Sequence, residues 1–222
     1  MRHLLGRSAY LGLDVARHLG PWMVFNAFLA TVPVVLAVVL FHRGRNRTAG
    51  WWLGVVAFVL FLPNAPYVVT DIIHAGPLVD FFADRSRVAP LVVLAAIAAL
   101  ALYGLAAYAV CLAEIDRELD RAGRSTWRVP VHAAVHLLSA FGVVLGRIPR
   151  LNSWYVVTQP EAVVDGVGSV ARPLAVPLVL VLALGFALGA AAVAAVGRAV
   201  AERTRSVAAL GRRGVQRLAS SA

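Results

Sequence analysis

The chain has 222 residues, of which 60% are hydrophobic and 14% charged, and its mean hydropathy is +0.79. A soluble domain carries nearer ~25% charged residues and buries its core with amphipathic elements, whereas here the apolar residues come in long unbroken blocks. All 21 basic side chains behind the net charge of +10 are arginines lying between those blocks or in the tail, so lipid phosphate rather than nucleic acid is the expected partner, and the single cysteine excludes an intramolecular disulfide.

Residues 1–20 read as an interfacial arm, because Arg7, Asp14 and Arg17 interrupt the apolar positions too closely for a signal-peptide core or a span. The first span is expected over residues 21–41, interrupted only by Asn26, Thr31 and Pro33 and closed by Arg43, Arg45 and Arg47. The second, 51–69, opens on Trp51-Trp52, an aromatic anchor suited to the headgroup level. It contains Pro63-Asn64-Ala65-Pro66, where two missing backbone donors three residues apart predict a break in the helix. The third span, 88–112, is uncharged for 25 residues and runs on into a polar helix, Glu114–Arg124. There the acids and arginines alternate at helical spacings, as in a solvated, self-paired helix end. The fourth, 130–146, carries His132, His136 and Ser139, and the fifth, 173–196, holds Gly185 and Gly189 on one face. That pair either permits close helix contact or reflects the ordinary glycine content of a membrane helix. Residues 197–222 form a basic tail expected to rest on anionic lipids. The predicted fold class is all-α: a polytopic membrane bundle of about five transmembrane helices with the second broken at Pro63–Pro66.

Five spans sort the connections into two sets. Residues 1–20, 70–87 and 147–172 hold eight arginines, and residues 42–50, 113–129 and 197–222 hold thirteen. The positive-inside rule puts the richer set in the cytoplasm, hence an outer amino terminus and an inner carboxyl terminus.

Counting ~1.5 Å per residue from Trp51, Pro63 lies ~18 Å into the membrane and Asp71 ~30 Å along. The same count from Pro130 puts Arg147 ~25 Å along with Arg150 just beyond it, followed by Asn152, Ser153 and Trp154. Asn64, Asp71, His74, Arg147, Arg150 and Asn152 therefore share one depth at the outer face. Asp71 and His74, three apart, share a face and have the chemistry of an acid–base pair or of two metal ligands. Arginines at that level suit an anionic group, with Asn64, Asn152 and Trp154 completing a substrate-binding set. The competing reading is structural: Asn64 caps a packed kink, and an Asp71–arginine ion pair locks helix two to the loop after helix four. His132 and His136 have the i, i+4 spacing of zinc ligands, yet lie at the opposite end from His74, where no single metal joins them. They read instead as histidines hydrogen-bonded across helices, so no metal site and no cofactor is expected.

The run Phe61-Leu62-Pro63-Asn64-Ala65-Pro66-Tyr67-Val68-Val69-Thr70-Asp71-Ile72-Ile73-His74 resembles a bacterial integral-membrane family of unknown function. That family typically reads W-x-x-F-x-P-N-A-P-Y, then T-D-x-x-H, and later G-R-x-x-R-x-N-S-W-D. Gly146-Arg147-Ile148-Pro149-Arg150-Leu151-Asn152-Ser153-Trp154 matches the second block, while Tyr155 stands where the family has aspartate. The resemblance spans roughly residues 21–196. It implies a multi-span bacterial membrane protein and no particular reaction, and the tyrosine argues against a mechanism needing a carboxylate at that position.

Three function classes fit these residues. The first is an enzyme or binding protein for an anionic, lipid-linked substrate at the outer face. The second is a non-catalytic accessory subunit. The third is a small transporter, disfavoured because no acid lies within a span and no repeat is visible. The arginine asymmetry generates a topology test: alkaline phosphatase fused after Ala222 should be inactive in cells and a fluorescent protein there should be bright. An active phosphatase fusion would reverse the assignment.

Overall fold

The computed structural model describes the backbone of residues 2–42, 46–83, 87–170 and 175–220. Segments this apolar cross hydrocarbon only by pairing every backbone group internally, which a helix does along its own length. In chain order the helices are α1 (Arg2–Phe41), α2 (Ala49–Phe61), α3 (Asn64–Tyr67), a 3-10 helix (Val68–His74), α4 (Ala75–Ala83) and α5 (Ala89–Arg121). A second 3-10 turn (Ser125–Trp127) leads to α6 (Arg128–Arg147), α7 (Tyr155–Thr158), α8 (Pro160–Val170) and α9 (Ala175–Ser220).

Five stretches are long and apolar enough to cross a membrane: Leu19–Phe41, Ala49–Ala83, Ala89–Arg121, Ser125–Arg147 and Ala175–Ser206. The all-α bundle expected from the sequence is the observed architecture. The second stretch is longer than its predicted 51–69 because the chain stays helical beyond the prolines, as α3, the 3-10 turn and α4. The tail likewise continues α9, and residues 2–20 continue into the first span as one helix. Arg43 and Arg45, expected to close the first span, and Pro173, expected to open the fifth, lie outside the described residues.

The second helix breaks where the prolines stand. α2 closes with Leu62 N–H donating to the Phe58 carbonyl at 2.8 Å; Ala65 then bonds Leu62 at 3.1 Å and Tyr67 bonds Pro63 at 3.0 Å. The interrupted segment is buried against its neighbours. Extra backbone bulk there needs room on the facing helices, and two glycines provide it. A Cβ on Gly104 of α5 would collide with the Val68 side chain and the Ala65 carbonyl oxygen. One on Gly142 of α6 would come within 2.5 Å of Pro63 Cγ.

α5 runs through the middle of the bundle, packing on α1, α3, the first 3-10 helix, α4 and α9, while α6 packs mainly on α9. The core centres on the enclosed Tyr108, whose ring meets Phe186 at 6.2 Å, and on Phe58, which meets Phe41 at 5.3 Å. Large apolar side chains such as Phe28, Leu53, Leu91 and Val181 point outward, the arrangement a lipid-facing surface requires.

The bundle has two ends, one marked by Trp22 and the other by His42. At the His42 end the polar extension of α5 does more than pair with itself. Glu114 is 3% exposed and is held by both Arg117 and His42. Glu118 bonds Arg121 at 2.8 Å and Arg47 at 3.0 Å. Asp116 accepts from His132 at 2.9 Å, and Arg128 grips Asp120. These acids tie α1, the connection before α2, and α6 to α5. His136 bonds the Tyr108 hydroxyl at 2.9 Å, so both histidines of α6 have partners across the bundle.

The close approach at Gly104 yields a stability prediction. Gly104→Leu places a side chain against a backbone carbonyl that cannot rotate away. It should destabilise the purified protein by about 1–3 kcal/mol, read as a lower melting temperature in detergent. Gly168→Leu, at a site with nothing within 4 Å, should leave it nearly unchanged.

Candidate functional site

The proline break creates the polar site at the Trp22 end. Pro66 leaves the Leu62 carbonyl without its regular donor, and Ala65 N–H turns to it. The Phe61 carbonyl that Ala65 would have met is thereby freed, and the Asn64 side-chain amide donates to it at 2.9 Å while also reaching Ser153 Oγ at 3.0 Å. One asparagine thus caps the kink and ties it to the loop after α6. The following turn is 3-10, with three residues per turn, so Val68, Asp71 and His74 stack along one edge.

Arg147, the last residue of α6, reaches across to this edge. Its Nε donates to Thr70 Oγ1 at 2.8 Å, one Nη is paired with Asp71, and the other approaches His74 Nε2 at 3.4 Å. The guanidinium carbon also lies 4.0 Å from the centre of the Tyr67 ring, which adds a cation–π contact. Thr70 Oγ1 donates in turn to the Tyr67 carbonyl at 2.6 Å. Asp71 is 1% exposed; its second oxygen accepts from Asn26 Nδ2 of α1 at 3.0 Å. A carboxylate this enclosed is tolerable only because a cation and an amide occupy its oxygens. The His74 ring meets Trp22 edge-on at 6.0 Å.

The expected convergence therefore takes a particular form. Asp71 pairs with Arg147, not with Arg150, and Arg147 stands between Asp71 and His74 in place of a direct carboxylate–imidazole bond. Beside this cluster opens a cavity of about 670 Å³, and Asn26, Asn64, His74, Arg147, Arg150 and Asn152 lie on its wall. Its remaining wall is largely apolar, from Phe25 and Leu29 of α1 to Leu138 and Phe141 of α6. Asp71 is not on that wall; it lies behind Arg147. Trp154, 37% exposed, stacks edge-on with Tyr155 at 6.1 Å and is likewise absent from it.

Arg150 differs from Arg147 in two respects. It has no ion-pair partner among the described residues. Its φ of 58° is also the only positive value on a non-glycine residue among them. Left-handed backbone at a residue with a Cβ costs about 1–2 kcal/mol. The bend that imposes it is closed by Leu151 N–H donating to the Leu145 carbonyl at 3.1 Å.

Sequence reasoning passed over Asn26, Tyr67, Thr70 and Ser153 as site residues. Asn26 carried a usable signal, since an amide inside an apolar span must find a buried partner. Among the described residues no three His, Cys, Asp or Glu side chains gather as a metal site.

The Asp71–Arg147 pair makes a quantitative prediction. Asp71→Ala leaves a mostly buried cation uncompensated and should cost about 3–5 kcal/mol, as should Arg147→Ala for the carboxylate. The double variant should lose less than the sum by about 0.5–3 kcal/mol. Strictly additive losses in chemical denaturation would show that the two side chains do not interact.

No curated protein and no solved structure matches the chain. A family model does match, described as a protein of unknown function, DUF1361, and it covers residues 25–196, which takes in the second, third and fourth apolar stretches, most of the first and fifth, and both site-forming blocks. Because that match takes in well over half of its length, the chain belongs to the DUF1361 family of proteins of unknown function.

Proposed function

We propose that this multi-pass membrane protein binds, and in an enzymatic version processes, an anionic lipid-linked molecule in the cavity at the Trp22 end, which faces outward in a bacterial plasma membrane. The observation that carries the proposal is Arg150: an uncommitted arginine in left-handed backbone on the wall of a cavity that is otherwise largely apolar. Strain of that kind persists where the surroundings enforce it, and it clusters at functional positions. A wall that is polar at one side and apolar at the other suits an amphiphile, whose charged group meets Arg150 and Asn152 while its hydrocarbon lies along Phe25, Leu138 and Phe141.

Within this reading the residues divide by contact. Arg150 and Asn152 touch the ligand's polar group, while Asn64, its amide hydrogens taken by the Phe61 carbonyl and Ser153, holds the loop that carries them. His74 is the wall residue suited to exchange a proton near neutral pH and is the candidate acid–base group. Asp71 acts through Arg147, which it holds in place. Trp154 anchors the rim at the membrane interface. The basic tail, on the opposite side, rests on the anionic inner leaflet.

A second reading has its own support: the occupied oxygens of the enclosed Asp71 suit a purely structural lock in an accessory subunit. Arg150→Gly separates the two. Glycine accepts left-handed backbone freely, so stability should hold or rise by up to about 1 kcal/mol. Anionic lipid retained through purification, measured by native mass spectrometry, should fall sharply. Unchanged lipid retention would remove the binding site, and a lowered melting temperature would assign Arg150 to the structural lock.

A further inference from the structure

Among the described residues, the cavity wall carries three side chains able to hold a full charge at neutral or mildly acidic pH: His74, Arg147 and Arg150. Their charges do not simply add. Arg147 is neutralised by the Asp71 carboxylate directly behind it. His74 presents Nε2 to an Arg147 nitrogen at 3.4 Å, and because a guanidinium only donates, only the uncharged imidazole completes that contact as a hydrogen bond. With that contact made, the described wall is left with one uncompensated positive charge, on Arg150. The acids of α8, Glu161 and Asp165, are exposed and lie off the wall.

From this count we infer that the site, if it is the lipid-binding site proposed above, selects a lipid with a singly charged headgroup over one bearing a diphosphate. A phosphodiester or carboxylate brings one negative charge to Arg150 and buries no excess. A diphosphate brings at least two into a cleft with apolar walls, where each uncompensated charge is penalised. The remaining donors, the Asn152 amide and the Ser153 hydroxyl, whose oxygen accepts from Asn64, satisfy oxygens without adding charge. Asp71 is then the residue that sets selectivity, since it subtracts the charge of Arg147 from the wall without touching the ligand.

The test uses the full-length protein in nanodiscs of zwitterionic phosphatidylcholine, titrated in turn with phosphatidylglycerol, a long-chain fatty acid, a polyprenyl diphosphate and inorganic phosphate. The two monoanionic lipids should bind, with affinity lowered about tenfold or more in Arg150→Gly. The diphosphate lipid should bind no more tightly than they do. Asp71→Asn, which restores a second net charge to the wall, should shift preference toward the diphosphate. If that variant does not fold, the wild-type series decides alone. Tenfold tighter, Arg150-dependent binding of the diphosphate would overturn the single-charge inference and leave the lipid site standing. Lipid binding that ignores Arg150 in every case would overturn the site itself. Competition by inorganic phosphate at the lipid's own affinity would overturn the lipid assignment, since hydrocarbon would then contribute nothing.

Discussion

Backbone groups in hydrocarbon have no water to turn to, and this protein places two prolines where that matters most. Each removes a donor and releases a carbonyl that has to be answered from within the bundle. At Pro66 the answer is a shift of partners: Ala65 N–H takes the Leu62 carbonyl, and Asn64, which also binds Ser153, takes the Phe61 carbonyl that Ala65 gives up, before the tight turns that follow. Those turns change the helical period from α to 3-10, which stacks Asp71 above His74. The same segment is thick where it bends, and Gly104 and Gly142 are the concessions made by α5 and α6 to let it pack. Removing the break would remove the reason for each of these residues.

Charge is handled differently at the two ends. At the His42 end four acids of α5 meet arginines and histidines of α5 itself, of α6 and of the connection between α1 and α2, so each acid has a basic partner nearby. At the Trp22 end one acid and one arginine are sealed together, and a second arginine is left over beside an opening. Exposed ion pairs are worth little individually, but a linked set that joins several helices fixes their relative register. An arginine held out of such a set, in backbone that costs energy to maintain, is a different kind of feature and points toward a ligand.

Much of the fold was legible because hydrocarbon imposes a simple length rule: an uncharged run such as 88–112 has one plausible structure. The break was legible for the same reason, since proline's effect on a helix is local. Depth was also legible. Rise per residue alone brought Asp71, His74 and Arg147 to one level. Rotation about each helix axis was not, and it decides that Arg147 rather than Arg150 meets Asp71, and that Trp154 falls outside the cavity. Nor could the strained bend at Arg150 be read, because the glycine that marks such bends is absent there. Glu114 misled for a related reason. A run of alternating charges looks solvated in one dimension, and only the packing of α1 against α5 shows that its first acid is covered.

The ties at the two ends have a joint mechanical consequence. Long helices fastened at one extremity alone would splay like the tines of a fork gripped at the handle. Here the ionic network holds one pole, while Asn26–Asp71–Arg147 and Asn64–Ser153 cross-link α1, the kinked segment, α6 and its following loop at the other. The bundle is a frame braced at both poles, so the cleft between them keeps a preset width, and a bilayer component entering it would have to match that opening instead of prying one.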